Sequence, residues 1–503
     1  KLFEIRLSYL RLRQVMFSTS RGMKKMPDAF RSLLLILFFG VMAILFAQTE
    51  PYVPETDPLV IKNLEHWQDL KFGLLMHWGP YSQWGIVESW SLCSEDVEWC
   101  RRPTGESYVD YVKRYEQLPT TFNPTKFDPG KWAAAAKQAG MKYVVFTTKH
   151  HDGFNMFDTK FSDYKITSPS VPFHRNERAN IAKEVFGAFR RENFLIGAYF
   201  SKPDWHHKDY WAPEWATPDR NNNYDTAKHP DRWQRFADFT LNQLSELTSG
   251  YGSVDILWLD GGWVRPGIPK DPFAGSGRVP WSQDIDMPKI ASMVRHNQPG
   301  IIIVDRDVHG QYENYRTPEQ KVPESPLPYP WETCMTMATS WSYVPNDTYK
   351  PSRELIHTLV DVVAKGGNFL LNIGVSPDGE FAPEAYERLR DIGDWMKING
   401  ESIYNTKAFA PYKQDKVAFT SLADGTVFAI YLADENEALP RSISLKGIVP
   451  GRGAKVSLLG YPETTLSWER RAGGSRIDLP ANAAQRVRAR FAWVIKISQV
   501  EKQ

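Results

Sequence analysis

Cysteine is scarce. Three thiols in 503 residues exclude a fold built on disulfides, and Cys93, Cys100 and Cys334 do not stand in a metal-binding spacing. Cys93 and Cys100 are close enough in sequence to pair in an oxidising compartment, leaving Cys334 over; three free buried thiols are the alternative. Charge of one sign is equally scarce. The formal net charge is +2, with the basic residues spread along the chain, so there is no electrostatic footprint for nucleic acid. No glycine-rich phosphate loop follows the first apolar run, where His77-Trp78-Gly79-Pro80 stands instead, which argues against an open nucleotide-binding sheet. The uncharged run Leu33 to Phe46 is shorter than the ~20 residues of a membrane span. With Met23-Lys24-Lys25 before it and Phe46-Ala47-Gln48 after it, it reads as a secretory signal peptide over 23–47. Residues 1–22 then read as an upstream extension. An uncleaved anchor is the alternative for the signal, and the lack of a cysteine near Ala47 argues against a lipid anchor. The expected mature protein is exported, to a periplasm, the extracellular space or a lumen, and is not held in a membrane.

Aromatic residues, by contrast, are abundant, at 13% of the chain with 18 Trp. Either a large core or stacking on the C–H faces of sugar rings accounts for them. Short apolar runs recur, each ending in polar chemistry. Val254 to Leu259 stops at Asp260-Gly261-Gly262, and Tyr143 to Thr148 runs into Lys149-His150-His151-Asp152-Gly153. Phe194 to Phe200 leads to Ser201, Asp204 and His206. Phe72 to Met76 delivers His77, and Ile301 to Val304 delivers Asp305-Arg306. Apolar runs bounded by turn residues read as buried strands of a parallel sheet, whose C-terminal ends carry function. Helical segments such as Pro129 to Gly140 and Ile181 to Glu192 lie between them. With further runs at Trp331 to Met337 and Gly367 to Ile373, the pattern predicts a (β/α)8-like barrel over 55–400. From about Asn405 the chain breaks into short strand-forming segments between turns, which predicts a C-terminal antiparallel β-sandwich over 405–503. No catalytic cluster lies within it.

At the barrel mouth, His77, His150, His151 and Asp152 have the chemistry of zinc ligands. Adjacent strand residues point to opposite faces, however, so His150 and His151 share an ion only if the backbone leaves the strand there. Hydrogen bonding to a polyhydroxylated ligand is the preferred reading, with no metal and no cofactor. Asp260, at a strand end, is the expected catalytic carboxylate.

Several of these motifs, in this order, resemble glycoside hydrolase family 29, the α-L-fucosidases, over roughly residues 55 to 500. They are His77-Trp78-Gly79, Glu98-Trp99, Lys149-His150-His151-Asp152-Gly153-Phe154, Tyr199-Phe200-Ser201, Trp258-Leu259-Asp260-Gly261, Asp305-Arg306, Trp331-Glu332-Thr333-Cys334 and Ser340-Trp341. The resemblance implies a barrel followed by a sandwich, and metal-free retaining release of terminal α-L-fucose from glycans. It assigns Asp260 as nucleophile. Glu319, on the loop after the Ile301 strand, matches the acid/base position of several relatives. Glu332 is the second choice because it begins a strand and would face the far end of the barrel; Glu313 and Glu324 are more distant ones. His77, Glu98, Trp99, His150, His151, Tyr199 and Arg306 carry over as fucose ligands, with Trp258 and Trp341 lining the apolar side. Asp307, Phe157 and Ser342 depart from the family pattern on the wall of the mouth, where the aglycone would lie. The competing readings are a retaining glycosidase of other specificity, such as a galactosidase, a carbohydrate-binding protein, and a metal-dependent hydrolase using His77, His150 and Asp152.

Overall fold

The computed structural model describes residues 51–93, 97–100, 105–267, 279–461 and 465–501. The expected signal peptide and upstream extension lie outside the described residues. Seven parallel strands form the first sheet: β1 (Phe72–His77), β2 (Tyr143–Lys149), β3 (Leu195–Ser201), β4 (Ile256–Asp260), β5 (Ile302–Asp305), β6 (Glu332–Thr336) and β7 (Asn368–Gly374). Their spatial order is β5-β4-β3-β2-β1-β7-β6. They are the seven apolar runs of the sequence, buried along almost their whole length, as expected of a sheet covered on both faces.

The eighth side of the barrel is not a regular strand. Residues 312–320 fill the gap between β5 and β6 as an extended stave. The Asn314 N–H donates to the Ile303 carbonyl at 2.9 Å on one side, while the Glu332 N–H donates to the Arg316 carbonyl at 2.8 Å and the Gln320 N–H to the Cys334 carbonyl at 2.9 Å on the other. The stave therefore satisfies the backbone groups that two open sheet edges would leave unpaired.

Helices wrap the outside. In the Pro129–Gln138 helix, the Asp128 side chain accepts from the Gly130 and Lys131 N–H groups, Pro129 opens the first turn, and Trp132, Ala133 and Ala136 are buried. Gly140, at φ +88°, follows the last turn, where a left-handed residue commonly ends a helix. Trp132 packs edge-on against Trp78 at 5.4 Å and stacks on Phe381 at 5.4 Å, so this helix supports the residue that follows His77.

The C-terminal segment forms two antiparallel sheets. A five-stranded sheet, in the order β12-β15-β10-β9-β8, comprises β8 (Lys407–Gln414), β9 (Val417–Ser421), β10 (Val427–Leu432), β12 (Val456–Leu458) and β15 (Ala492–Ile497). A three-stranded sheet holds β11 (Ser442–Lys446), β13 (Trp468–Arg471) and β14 (Gly474–Asp478). Trp395 Nε1 donates to the Ala492 carbonyl at 3.0 Å, and the Thr420 hydroxyl donates to the Ser402 carbonyl at 2.8 Å, joining this part to the last barrel helix and the turn after it. Cys93 and Cys100 form a disulfide, and Cys334 is free and buried.

Replacing Trp132 by alanine leaves a cavity between Trp78 and Phe381. We expect a loss of ~3–5 kcal/mol, read from urea unfolding; a loss under ~1 kcal/mol would show that the helix is not held through this ring.

Candidate active site

Strand alternation assembles the mouth. In β4, Leu257 and Leu259 pack outward under the helices, while Ile256 and Trp258 belong to the barrel interior; two residues on from Trp258, Asp260 continues the inward row at the strand's end. The same count brings Tyr199 and Ser201 inward from β3, His77 from β1, Asn372 from β7, and Arg306 from just past β5. Parallel register sets them level: Ser201 lies opposite Asp260, and His77 opposite Gly374. Gly261 turns the chain at φ +92°, where a Cβ would fall 2.3 Å from Pro203 Cδ, and its N–H donates to Asp260 Oδ1 at 2.8 Å.

Arg306 joins the two carboxylates that matter. Its Nη1 donates to Asp260 Oδ1 at 3.0 Å, its Nε donates to the Thr317 hydroxyl at 3.0 Å, and its Nη2 donates to Glu319 Oε2. The guanidinium also lies over the Trp258 ring, 5.2 Å from its centroid. Thr317 and Glu319 both belong to the closing stave, so one cation ties that stave to the end of β4. The Tyr199 hydroxyl donates to Asp260 Oδ2 at 2.6 Å, and His151 Nε2 stands 3.8 Å from the same oxygen. Burial raises the Asp260 carboxyl, but Arg306, His151 and the Tyr199 hydroxyl outweigh it and hold the group far below the usual carboxylate range. Asp260 is thus an ionised carboxylate at neutral pH.

Both adjacent histidines face this carboxylate, contrary to strict alternation. The β2–β3 register shifts between Thr147 and Lys149 and β2 ends there, so the backbone has left the strand before His150. The two imidazoles lie 4.4 Å apart. Ser89 Oγ pairs with His150 Nδ1 at 2.6 Å, and Ser201 Oγ with His151 Nδ1 at 2.6 Å. Asn372 Nδ2 donates to the Trp341 carbonyl, which turns Asn372 Oδ1 toward His77 Nδ1, 2.8 Å away. His77 therefore carries its proton on Nδ1 and offers Nε2 as an acceptor. Burial lowers His77 and His151 to about 4 and holds His150 well below the usual imidazole range. All three are neutral hydrogen-bonding groups at pH 7. Trp341 leans on His77 at 5.2 Å.

Other expected ligands lie elsewhere. Glu98 is exposed, as is Trp99, whose ring lies beyond Trp90 on the wall that leads away from His151. Trp258 is buried one layer below the mouth, stacked under Tyr199 at 5.2 Å, and its Nε1 donates to Glu332 Oε1 at 3.4 Å; it supports Tyr199 and Arg306 from beneath. Glu332 opens β6 opposite Asn368, the first residue of β7, and accepts from the Tyr143 hydroxyl at 2.6 Å. Because parallel strands share a direction, this is the opposite end of the barrel from Asp260, which removes Glu332 as acid/base. Glu313 is buried against the Asp307 N–H and His309, and Glu324 is exposed. Asp152 turns away and accepts from the Tyr115 hydroxyl at 2.8 Å.

Glu88 is the residue that sequence reasoning missed. It is fully buried beside the mouth and accepts from the Ser342 N–H at 2.8 Å, while its Oε2 has no partner. Burial pushes its carboxyl up to about 8; the Ser342 N–H opposes this, and the charges of Glu319 and Asp260 add to it. Its signal was available in Glu88-Ser89-Trp90, a second acidic and aromatic pairing ten residues before Glu98-Trp99.

Among the described residues, one group offers metal-ligand atoms within 4.8 Å of one another: His150, His151 and Asp260. His77 and Asp152 stand outside it, and the Arg306 guanidinium already neutralises the only carboxylate in the set. The chemistry present is a buried carboxylate, a second carboxylate on the same arginine, and neutral donors and acceptors around them.

An (α/β) barrel with two carboxyls at its mouth and an aromatic, uncharged wall defines a glycoside hydrolase. Known proteins agree. The α-L-fucosidase family model matches residues 41–401, and the α-L-fucosidase C-terminal domain model matches 411–498. The human tissue α-L-fucosidase is 31% identical, with 95% of this chain and 99% of that protein covered. The α-L-fucosidase of Branchiostoma floridae is 28% identical, covering 92% and 99%. Among solved structures, α-L-fucosidase isoenzyme 1 of Paenibacillus thiaminolyticus superposes with a TM-score of 0.70 at 28% identity, covering 88% of this chain and all of that one. The chain belongs to the α-L-fucosidase family.

Glu88 supplies a pH test. Its folded-state value is raised above the usual 4.5, so the folded state binds the extra proton and the group favours folding below about 4.5; that contribution is lost as pH rises toward about 8. Over this window the unfolding midpoint of the wild type should fall relative to Glu88→Gln, which lacks the term. Parallel pH dependences would contradict the assignment.

Proposed function

We propose that this fucose-releasing exo-glycosidase works by double displacement with retention of configuration. Asp260 is the nucleophile and Glu319 the acid, then the base. The observation that carries this reading is the single guanidinium of Arg306 bonded to both carboxyl groups, a span suited to the ~5 Å separation that retaining enzymes need. In the first step an Asp260 oxygen bonds the anomeric carbon, the glycosidic C–O bond breaks, and the leaving oxygen takes the Glu319 proton. In the second, the Glu319 carboxylate removes a proton from water, whose oxygen displaces Asp260. Once Asp260 is esterified its charge is gone, and Arg306 then pairs with Glu319 alone, which suits a general base.

The neutral histidines His77, His150 and His151, with Tyr199 and the protonated Glu88, supply hydroxyl partners for the fucose ring without competing charges, and Trp341 supplies an apolar side. Residues 55–400 form the catalytic part, and 405–503 a supporting sandwich. The natural substrate is a fucosylated glycan met after export. The charge-poor apolar segment at 33–46 and the Cys93–Cys100 disulfide support that destination, and no described helix is long and apolar enough to cross a membrane.

With nitrophenyl α-L-fucoside, Asp260→Gly should lose essentially all hydrolysis, and added azide should give the β-fucosyl azide. Glu319→Ala should be slowed ~10²–10⁴-fold and give the α-fucosyl azide. Full activity in Asp260→Gly, or no azide product in either variant, would overturn the assignment.

A further inference from the structure

Around the nucleophile an aromatic wall continues outward. His151 packs edge-on against Trp90 at 5.1 Å; Trp90 also meets Trp205 at 5.2 Å and Trp263 at 5.9 Å. The outermost ring is Trp99, 5.1 Å from Trp90, which leaves 57% of its surface to solvent. Single exposed apolar residues are ordinary on protein surfaces. Trp99 differs because it prolongs a wall that starts at His151, beside Asp260, and because its neighbour is held covalently. Cys100, its neighbour, is bonded to Cys93, and the Cys93 N–H donates to the Trp90 carbonyl at 2.8 Å. The turn that bears Trp90, Ser89–Leu92, is held in turn by the Ser89 bond to His150. Ordering a large exposed aromatic in this way serves binding better than it serves the core.

We propose that Trp99 is the platform for the sugar that carries the fucose, and that the Cys93–Cys100 disulfide holds the platform in place. The inference rests on the proposed reaction at Asp260. With the fucose over Asp260 and against His151, the exposed outer end of the wall, at Trp99, is the flat apolar surface open to the rest of the glycan. The ligand class is a fucosyl saccharide whose penultimate pyranose presents a flat C–H face. Stacking of this kind acts equally on ground and transition states, so it appears in KM.

Two substrates separate the aglycone from the chemistry: α-L-fucosyl fluoride, which has no aglycone sugar, and an α-L-fucosyl-N-acetylglucosamine disaccharide. Trp99→Ala should lower kcat/KM for the disaccharide ~10-fold, mainly through KM, and leave the fluoride within ~2-fold. Trp99→Phe should recover part of the loss, and the thermal midpoint should not move. The Cys93→Ser/Cys100→Ser double variant should reproduce the selective loss. Equal losses on both substrates, or an unchanged disaccharide, would overturn the platform; a double variant with wild-type disaccharide kinetics would overturn the role of the disulfide. Failure of the wild type to turn over the fluoride would count against the reaction at Asp260 instead, and so is distinguishable.

Discussion

Everything at the mouth depends on where the Arg306 guanidinium sits. It bonds the nucleophile candidate at the end of β4, the acid candidate on the stave that closes the barrel, and Thr317 between them. It also rests on Trp258. A buried cation survives only when its charge is paired and its donors are satisfied. Here the pairing partners are the reactive groups themselves, so the requirement that stabilises Arg306 also sets the spacing of the carboxyls.

That arrangement explains why an irregular segment can carry a catalytic group. Residues 312–320 are polar and include Pro318, so they cannot form a regular buried strand. They are fixed by backbone bonds to β5 on one side and β6 on the other, and at their mouth end by Arg306. Beneath, Trp258, Tyr143 and the buried Glu332 form a bonded floor, which keeps the arginine from sinking into the barrel. Glu332 is a structural carboxyl of that floor; burial raises it to about 7, offset in part by the Tyr143 and Trp258 bonds.

Legibility in the sequence followed the strength of the local signal. The seven strands were visible because buried parallel strands are unbroken apolar runs, and Asp260 was visible because such a run ends on it. The closing stave was not visible, since its extended form is imposed by two neighbours and not by its own residues. β8 has a weak signal for a related reason: Pro411 interrupts it and its faces are largely exposed. The shared direction of His150 and His151 depended on a bulge that no residue pattern announces. Glu98 and Trp99 were drawn into the fucose seat on a motif, whereas burial singles out Glu88, ten residues before Glu98. Burial is a property of the whole fold, and a two-residue motif does not contain it.

The central claim is a covalent bond between fucose and one carboxylate, and the direct measurement is peptide mapping of the enzyme after inactivation with 2-deoxy-2-fluoro-α-L-fucosyl fluoride. The account predicts a single fluorofucosyl ester on Asp260, released with recovery of activity. A label on any other carboxylate, or turnover with no ester and a product of inverted configuration, would contradict it.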